Sequence, residues 1–125
     1  MLAFLTILAC DPADDVPLAP SSVDTSGGTW NLVLSPSPDP HAAGEVALSI
    51  DILSNDTGDY APEASITALT PWMPDHNHGI SDEPVIINHG DGTAEASWTY
   101  SMSGYWELTI AVDDSEEATV GYEVK

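Results

Sequence analysis

The chain has 125 residues and carries 21 acidic side chains against a single Lys, so its formal net charge is −20. This length allows one domain with one modest hydrophobic core. Nucleic acids and anionic lipid head groups are excluded as partners, because binding to them relies on Lys and Arg side chains. A hydrophobic fraction of 42% predicts a folded chain. We interpret the acidic surface first as a solubility device and second as an attractor of cations.

The chain begins with an apolar run over residues 2–9 that is followed by Cys10. This stretch resembles the end of a bacterial lipoprotein signal peptide, with residues 7–10 as the lipobox and Cys10 as the lipidated residue. Eight apolar residues are too few to span a bilayer. The resemblance implies that residues 1–9 are a signal-peptide remnant. It also implies an exported protein that faces the periplasm or cell exterior and meets the membrane only through lipid on Cys10. The alternative is a buried N-terminal strand with a core cysteine.

Residues 10–28 are rich in Asp, Pro, Ser and Gly and have no hydrophobic periodicity. Such a composition is typical of flexible linkers. We therefore predict a lipid-anchored acidic linker over residues 10–28 and a folded domain over residues 29–125.

Seven short segments of this domain have apolar residues in alternation or in a short run, separated by Gly, Pro, Asn and Asp. The pattern predicts strands and gives no helix. Each segment has one apolar face, which is typical of antiparallel sheets with one solvated side. We predict an all-β, immunoglobulin-like antiparallel β-sandwich of about seven strands, with an open barrel as the alternative. The predicted strands cover residues 30–34, 45–53, 64–69, 85–87, 93–100, 105–112 and 118–124.

Two segments bring together the side chains that suit copper. Residues 73–79 read Met-Pro-Asp-His-Asn-His-Gly, and residues 102–106 read Met-Ser-Gly-Tyr-Trp. Thioether sulfur favours Cu(I), and imidazole accepts either oxidation state of copper. Two His residues at this spacing point to one side of an extended chain. We predict a copper site, with zinc as the second choice because zinc prefers carboxylate or thiolate to thioether. Its ligands are Met73, His76, His78 and Met102.

The order of these two motifs, with Gly-Asp-Gly at residues 90–92 between them, resembles the FixH-like and YtkA-like families of bacterial exported or membrane-tethered domains. The resemblance extends over residues 30–124. It implies an immunoglobulin-like fold and a role in copper handling, especially supply to respiratory oxidases. The implied partner is a copper-handling or oxidase-assembly protein. Many members of these families have Met at the position of His76.

Other interpretations stay open for the same residues. Met73 and Met102 also suit the role of adaptable core fillers. His89 lies in a predicted hairpin, where it is either solvated or an extra ligand, and His41 has no predicted role. The acidic turns at residues 55–59 and 113–117 lack EF-hand spacing, so we interpret them as solvated.

The sequence contains no nucleophile motif, phosphate-binding loop or dinucleotide-binding pattern, and we predict that the protein is not an enzyme. The main alternative to copper binding is a non-catalytic, immunoglobulin-like structural or interaction module of a surface lipoprotein, with no metal.

Overall fold

A computed structural model describes residues 16–125, which form nine strands in two sheets. All ladders between the strands are antiparallel. The strands are β1 (Ser22–Asp24), β2 (Trp30–Ser37), β3 (Gly44–Ser54), β4 (Ile66–Met73), β5 (His78–Gly79), β6 (Val85–Asn88), β7 (Thr93–Tyr100), β8 (Gly104–Val112) and β9 (Glu116–Val124).

The predicted all-β sandwich is confirmed. One sheet has the order β9-β8-β4-β5, and the other has the order β1-β2-β3-β7-β6. All seven predicted strands are present. The two additional strands, β1 and β5, are only three and two residues long, which is too short for a hydrophobic period to mark them. No helix in residues 16–125 is long and apolar enough to cross a membrane.

The core lies between the inner faces of the two sheets. Alternate residues of β8 are fully buried: Trp106, Leu108, Ile110 and Val112. They face a similar row on β3, made of Val46, Leu48, Ile50 and Ile52. Burying one large aliphatic or aromatic side chain contributes about 1.5–3 kcal/mol. The strict alternation along both strands therefore fixes which face of each sheet turns inward.

The five-stranded sheet begins earlier than the predicted domain boundary at Thr29. β1 pairs with β2, and the turn that follows β1 is held by the carboxylate of Glu116. That carboxylate accepts hydrogen bonds from the hydroxyls of Thr25 and Thr29 and from the backbone N–H of Gly27. The composition of this segment is that of a linker, but a carboxylate from the last strand orders it. The predictions for residues 1–9 and Cys10 lie outside the described residues.

β4 continues to Met73, beyond its predicted end at Leu69, and it includes Pro71. Proline is tolerated near the edge of a sheet. β5, the outermost strand here, pairs only with Trp72 and Met73. The extension of β4 brings the first residue of the predicted copper motif into the sheet.

Candidate metal site

The first copper motif forms a hairpin between β4 and β5, with a turn over residues 74–77. The carbonyl oxygen of Met73 accepts the backbone N–H of His76 at 3.2 Å and that of Asn77 at 2.8 Å. Asn77 has a φ of 56°, in the left-handed region that Asn tolerates better than most residues. His76 therefore lies in a turn, so the alternation of side chains along an extended strand does not place the two imidazoles.

Met73 and His78 are partners in the β4–β5 ladder, so their side chains share the inner face of the hairpin. Met73 is 2% exposed, whereas His78 is half-buried. The Met73 methyl group packs against Gly104, where an added Cβ would lie 2.5 Å from the Met73 Cε atom. Gly104 also has a φ of 130°. Glycine at this position therefore makes room for the thioether.

Among the described residues, one ring nitrogen of His78 makes a hydrogen bond and the other makes none. Its Nδ1 atom lies 2.9 Å from the carbonyl oxygen of Gly79. A carbonyl oxygen only accepts hydrogen bonds, so Nδ1 carries the proton and the lone pair is on Nε2. Metal-binding histidines typically use this arrangement, in which a backbone carbonyl fixes the tautomer and the ring orientation.

The second histidine lies beside the first. The ring centroids of His76 and His78 are 6.0 Å apart, with 43° between the ring planes. His76 is exposed in the turn, so it has more freedom to reorient than His78. The two imidazoles are close together, and the turn brings them into this arrangement.

Trp106 connects the second motif to this hairpin. Its ring is fully buried and lies 5.8 Å from the His78 ring in an edge-to-face arrangement. Its indole N–H donates to the carbonyl oxygen of Met102 at 3.1 Å. Met102 is 37% exposed, in the connection between β7 and β8. The contact that ties Met102 to this corner is thus made by its backbone.

Three of the predicted ligands lie in the β4–β5 hairpin, and Met102 is linked to it through the contact of its backbone with Trp106. The donor types of the four side chains can be compared with those that metals prefer. In residues 16–125 no three His, Cys, Asp or Glu side chains group in a way that would hold a metal ion. A ligand set built on His76 and His78 would be completed by thioethers. Imidazole with thioether suits copper, and Cu(I) in particular, better than it suits zinc.

The remaining two histidines lie elsewhere. His89 follows β6, and its Nε2 atom is 3.9 Å from a Glu95 carboxylate oxygen on the surface. The preceding residue, Asn88, is hydrogen-bonded to the backbone of Ile66 at the start of β4, whereas the copper motif lies at the end of that strand. His89 is therefore not near the predicted ligands.

His41 has a role that the sequence did not indicate. It is fully buried among the rings of Trp98, Tyr100 and Tyr122 and so joins the two sheets. Its Nε2–H donates to the carbonyl oxygen of Ala47 at 3.0 Å, and its Nδ1 is 3.3 Å from the Tyr100 hydroxyl. Desolvation by burial lowers the pKa of His41. These contacts indicate a neutral, structural histidine.

No protein-family model matches the chain, and no curated protein matches its sequence. The resemblance to the FixH-like and YtkA-like families depends on the three motifs themselves.

Proposed function

We propose that this protein is an extracytoplasmic, lipid-anchored domain that binds copper and passes it to a partner, such as a respiratory oxidase assembly system. The copper ligands would be Met73, His76, His78 and Met102, and the lipid would be carried by Cys10. The observation that carries the proposal is the state of His78. Among the described residues its Nε2 atom makes no hydrogen bond, whereas the carbonyl oxygen of Gly79 holds Nδ1–H of the neutral imidazole, and a thioether lies across the ladder from it.

The four side chains would have two different roles, since two of them would hold copper and the other two would release it to a partner. His78 and Met73 are held by the sheet, so they would provide the fixed part of the site. His76 and Met102 are exposed, which suits ligands that exchange with those of a partner. Trp106 would exclude water from one side of the site because its ring is buried against His78. Copper is the cargo, and we propose no enzymatic activity.

A competition titration with a Cu(I) chelator tests the proposal. The full chain is used with Cys10→Ser, because a free thiol binds Cu(I) by itself. We expect binding of about one equivalent, with affinity that falls as the solution is acidified, because a protonated imidazole cannot be a ligand. His78→Ala should weaken both Cu(I) and Cu(II) binding, and His89→Ala is the matched control. A parent protein that does not compete with the chelator would overturn the proposal.

A second function is supported by the burial of Met73. A thioether that is 2% exposed and packed against Gly104 is also what a core-filling methionine looks like. In that case the protein would be a non-catalytic, immunoglobulin-like interaction module without metal. A parent protein that does not compete with the Cu(I) chelator would favour this function. Equal Cu(I) affinities of the parent and of Met73→Leu with Met102→Leu would mean instead that the thioethers are core fillers and that the site is at most a pair of histidines.

A further inference from the structure

Two aromatic rings lie on glycines at the outer face of the four-stranded sheet. Trp72 is 40% exposed and is the ladder partner of Gly79, where an added Cβ would be 3.6 Å from the indole ring. Tyr105 lies over Gly121, where an added Cβ would be 2.8 Å from the ring. Because glycine allows this close approach, the backbone supports each ring from below. We call this face the aromatic platform and include in it the three carboxylates described next.

The three carboxylates are those of Asp75, Glu107 and Glu123. The Tyr105 hydroxyl donates to a Glu107 carboxylate oxygen at 3.0 Å. Glu107 is the ladder partner of Trp72, and Glu123 is that of Tyr105. Desolvation raises the pKa of Tyr105 to about 12, with the charges of all three carboxylates adding to the rise. Glu107 therefore lies beside both rings and Glu123 beside Tyr105, and Asp75 is in the turn three residues after Trp72.

The chain has one Lys and no Arg in 125 residues. That residue, Lys125, is two positions beyond Glu123, but within the described part of the chain no Lys forms an ion pair with a carboxylate. The one short contact between a histidine and a carboxylate there, His89 with Glu95, does not involve the platform. The carboxylates are consequently available to charges from another molecule.

We infer that the aromatic platform docks a basic segment of a partner protein. A guanidinium or ammonium group stacks favourably on the face of Trp, and Tyr contributes in the same way. Carboxylates beside the ring add charge-assisted hydrogen bonds, which Arg makes in bidentate form. Trp72 is partly exposed, and Trp is one of the residue types that most often carry interface energy. The exposed aromatic rings and the unpaired carboxylates together favour a partner segment that presents Arg or Lys side chains.

The position of the platform links it to the proposed function. Asp75 belongs to the β4–β5 turn and immediately precedes His76. A partner docked on the platform would lie beside the exposed copper ligand. This consequence depends on the proposed copper delivery, whereas docking itself does not need metal. Binding to the metal-free protein therefore separates the two claims.

Nuclear magnetic resonance with a short peptide of alternating Arg and Ser provides the test, using the metal-free full chain with Cys10→Ser. We expect the largest shift changes at Trp72, including its indole N–H, and at Tyr105. Glu107→Gln with Glu123→Gln should weaken peptide binding about tenfold, which is the size expected for losing close charge pairs. The control is Glu45→Gln with Glu95→Gln, which removes the same charge from the other sheet and should weaken binding no more than about threefold.

Three outcomes overturn the inference. If both pairs of substitutions weaken binding equally, the peptide is attracted only by net charge. If Trp72→Ala binds as the parent does, the rings have no part in docking. If calcium chloride displaces the peptide and produces the same shifts, the face is a site for small cations. A parent protein that binds the peptide at the platform but fails to bind copper would keep this inference and reject copper delivery.

Discussion

Met73 and His78 are direct cross-strand partners, one almost completely buried and the other half-buried. A side chain of the core and a side chain of the surface are thereby coupled within one hairpin. Such a pair is sensitive to substitution in two ways, through the packing of the sandwich and through the chemistry at its end. The first two predictions separate these effects.

Met73→Leu should retain the fold and lose Cu(I) affinity. The substitution nearly conserves volume and apolarity, so the free energy of unfolding should fall by less than about 1.5 kcal/mol. Removing the thioether should weaken Cu(I) binding while sparing Cu(II), because sulfur favours the softer ion. Urea denaturation and chelator competition measure the two effects. Unchanged Cu(I) affinity would reduce Met73 to a core residue.

Gly104→Ala should destabilise the protein through a clash with Met73. The new Cβ would lie 2.5 Å from the Met73 Cε atom, at a φ of 130°. Gly44 is the matched control, because its φ is 106° and nothing lies within 4 Å of an added Cβ. Strain in the backbone costs about 1–3 kcal/mol at each position, and only Gly104→Ala should cost more than that.

A double-mutant cycle in urea identifies the clash. Met73→Ala leaves space beside residue 104, so Gly104→Ala should cost less in that background than in the parent. A cost that is the same in both backgrounds would mean that backbone strain alone explains the loss.

A strand was predictable from the sequence where apolar and polar side chains alternate along that strand itself. β7 begins and ends at the predicted residues, because Ala94, Ala96, Trp98 and Tyr100 alternate with polar residues. β1 escaped prediction because the carboxylate that holds the turn after it, that of Glu116, lies 91 residues from Thr25 in the sequence. The sequence predicted that the two histidines lie close together. The backbone hydrogen bonds to the Met73 carbonyl oxygen that shape their turn leave no periodic pattern, so the detailed geometry of the turn was not predictable.

The environment of His41 also could not be predicted from the sequence, because it is made by residues far away along the chain. His41 follows the Pro-rich segment over residues 35–40 and had no predicted role, yet the residue is fully buried. The rings that surround it come from β7 and β9, and its hydroxyl partner is Tyr100, 59 residues away. Only the assembled sandwich creates that environment, so a local pattern could not reveal it.

The Glu116 carboxylate should hold the turn over residues 25–29 in a pH-dependent way in the parent. Glu116→Gln should weaken this attachment and remove its dependence on pH. Hydrogen bonds from Thr25 and Thr29 lower the pKa of Glu116 from its usual 4.5. A lowered carboxylate pKa stabilises the fold above the unfolded-state pKa, and this stability is lost as the pH falls through the folded-state pKa. Relative to the intrinsic rate at the same pH, hydrogen exchange at the Thr29 amide, which donates to this carboxylate, should therefore accelerate in acid.

The neighbouring Glu117→Gln variant is the control for this effect, since it removes the same charge from an exposed residue. With Glu116→Gln the Thr29 amide should exchange quickly at every pH. Slow exchange that persists in Glu116→Gln would show that the backbone alone holds the turn.

His41 should make the stability of the whole sandwich depend on pH just below neutrality. Burial lowers its pKa, so the unfolded chain binds a proton at a higher pH than the folded chain does. The contribution of His41 to the free energy of unfolding is therefore fully present above the unfolded-state pKa of about 6.5 and decreases as the pH falls from there toward the folded-state pKa.

His41→Gln keeps an amide donor for the Ala47 carbonyl oxygen but does not titrate. Urea unfolding at a series of pH values should show a flatter dependence for His41→Gln than for the parent. His89→Gln, which changes an exposed histidine, should keep the slope of the parent. Equal slopes for the parent and His41→Gln would mean that His41 protonates without unfolding the sandwich.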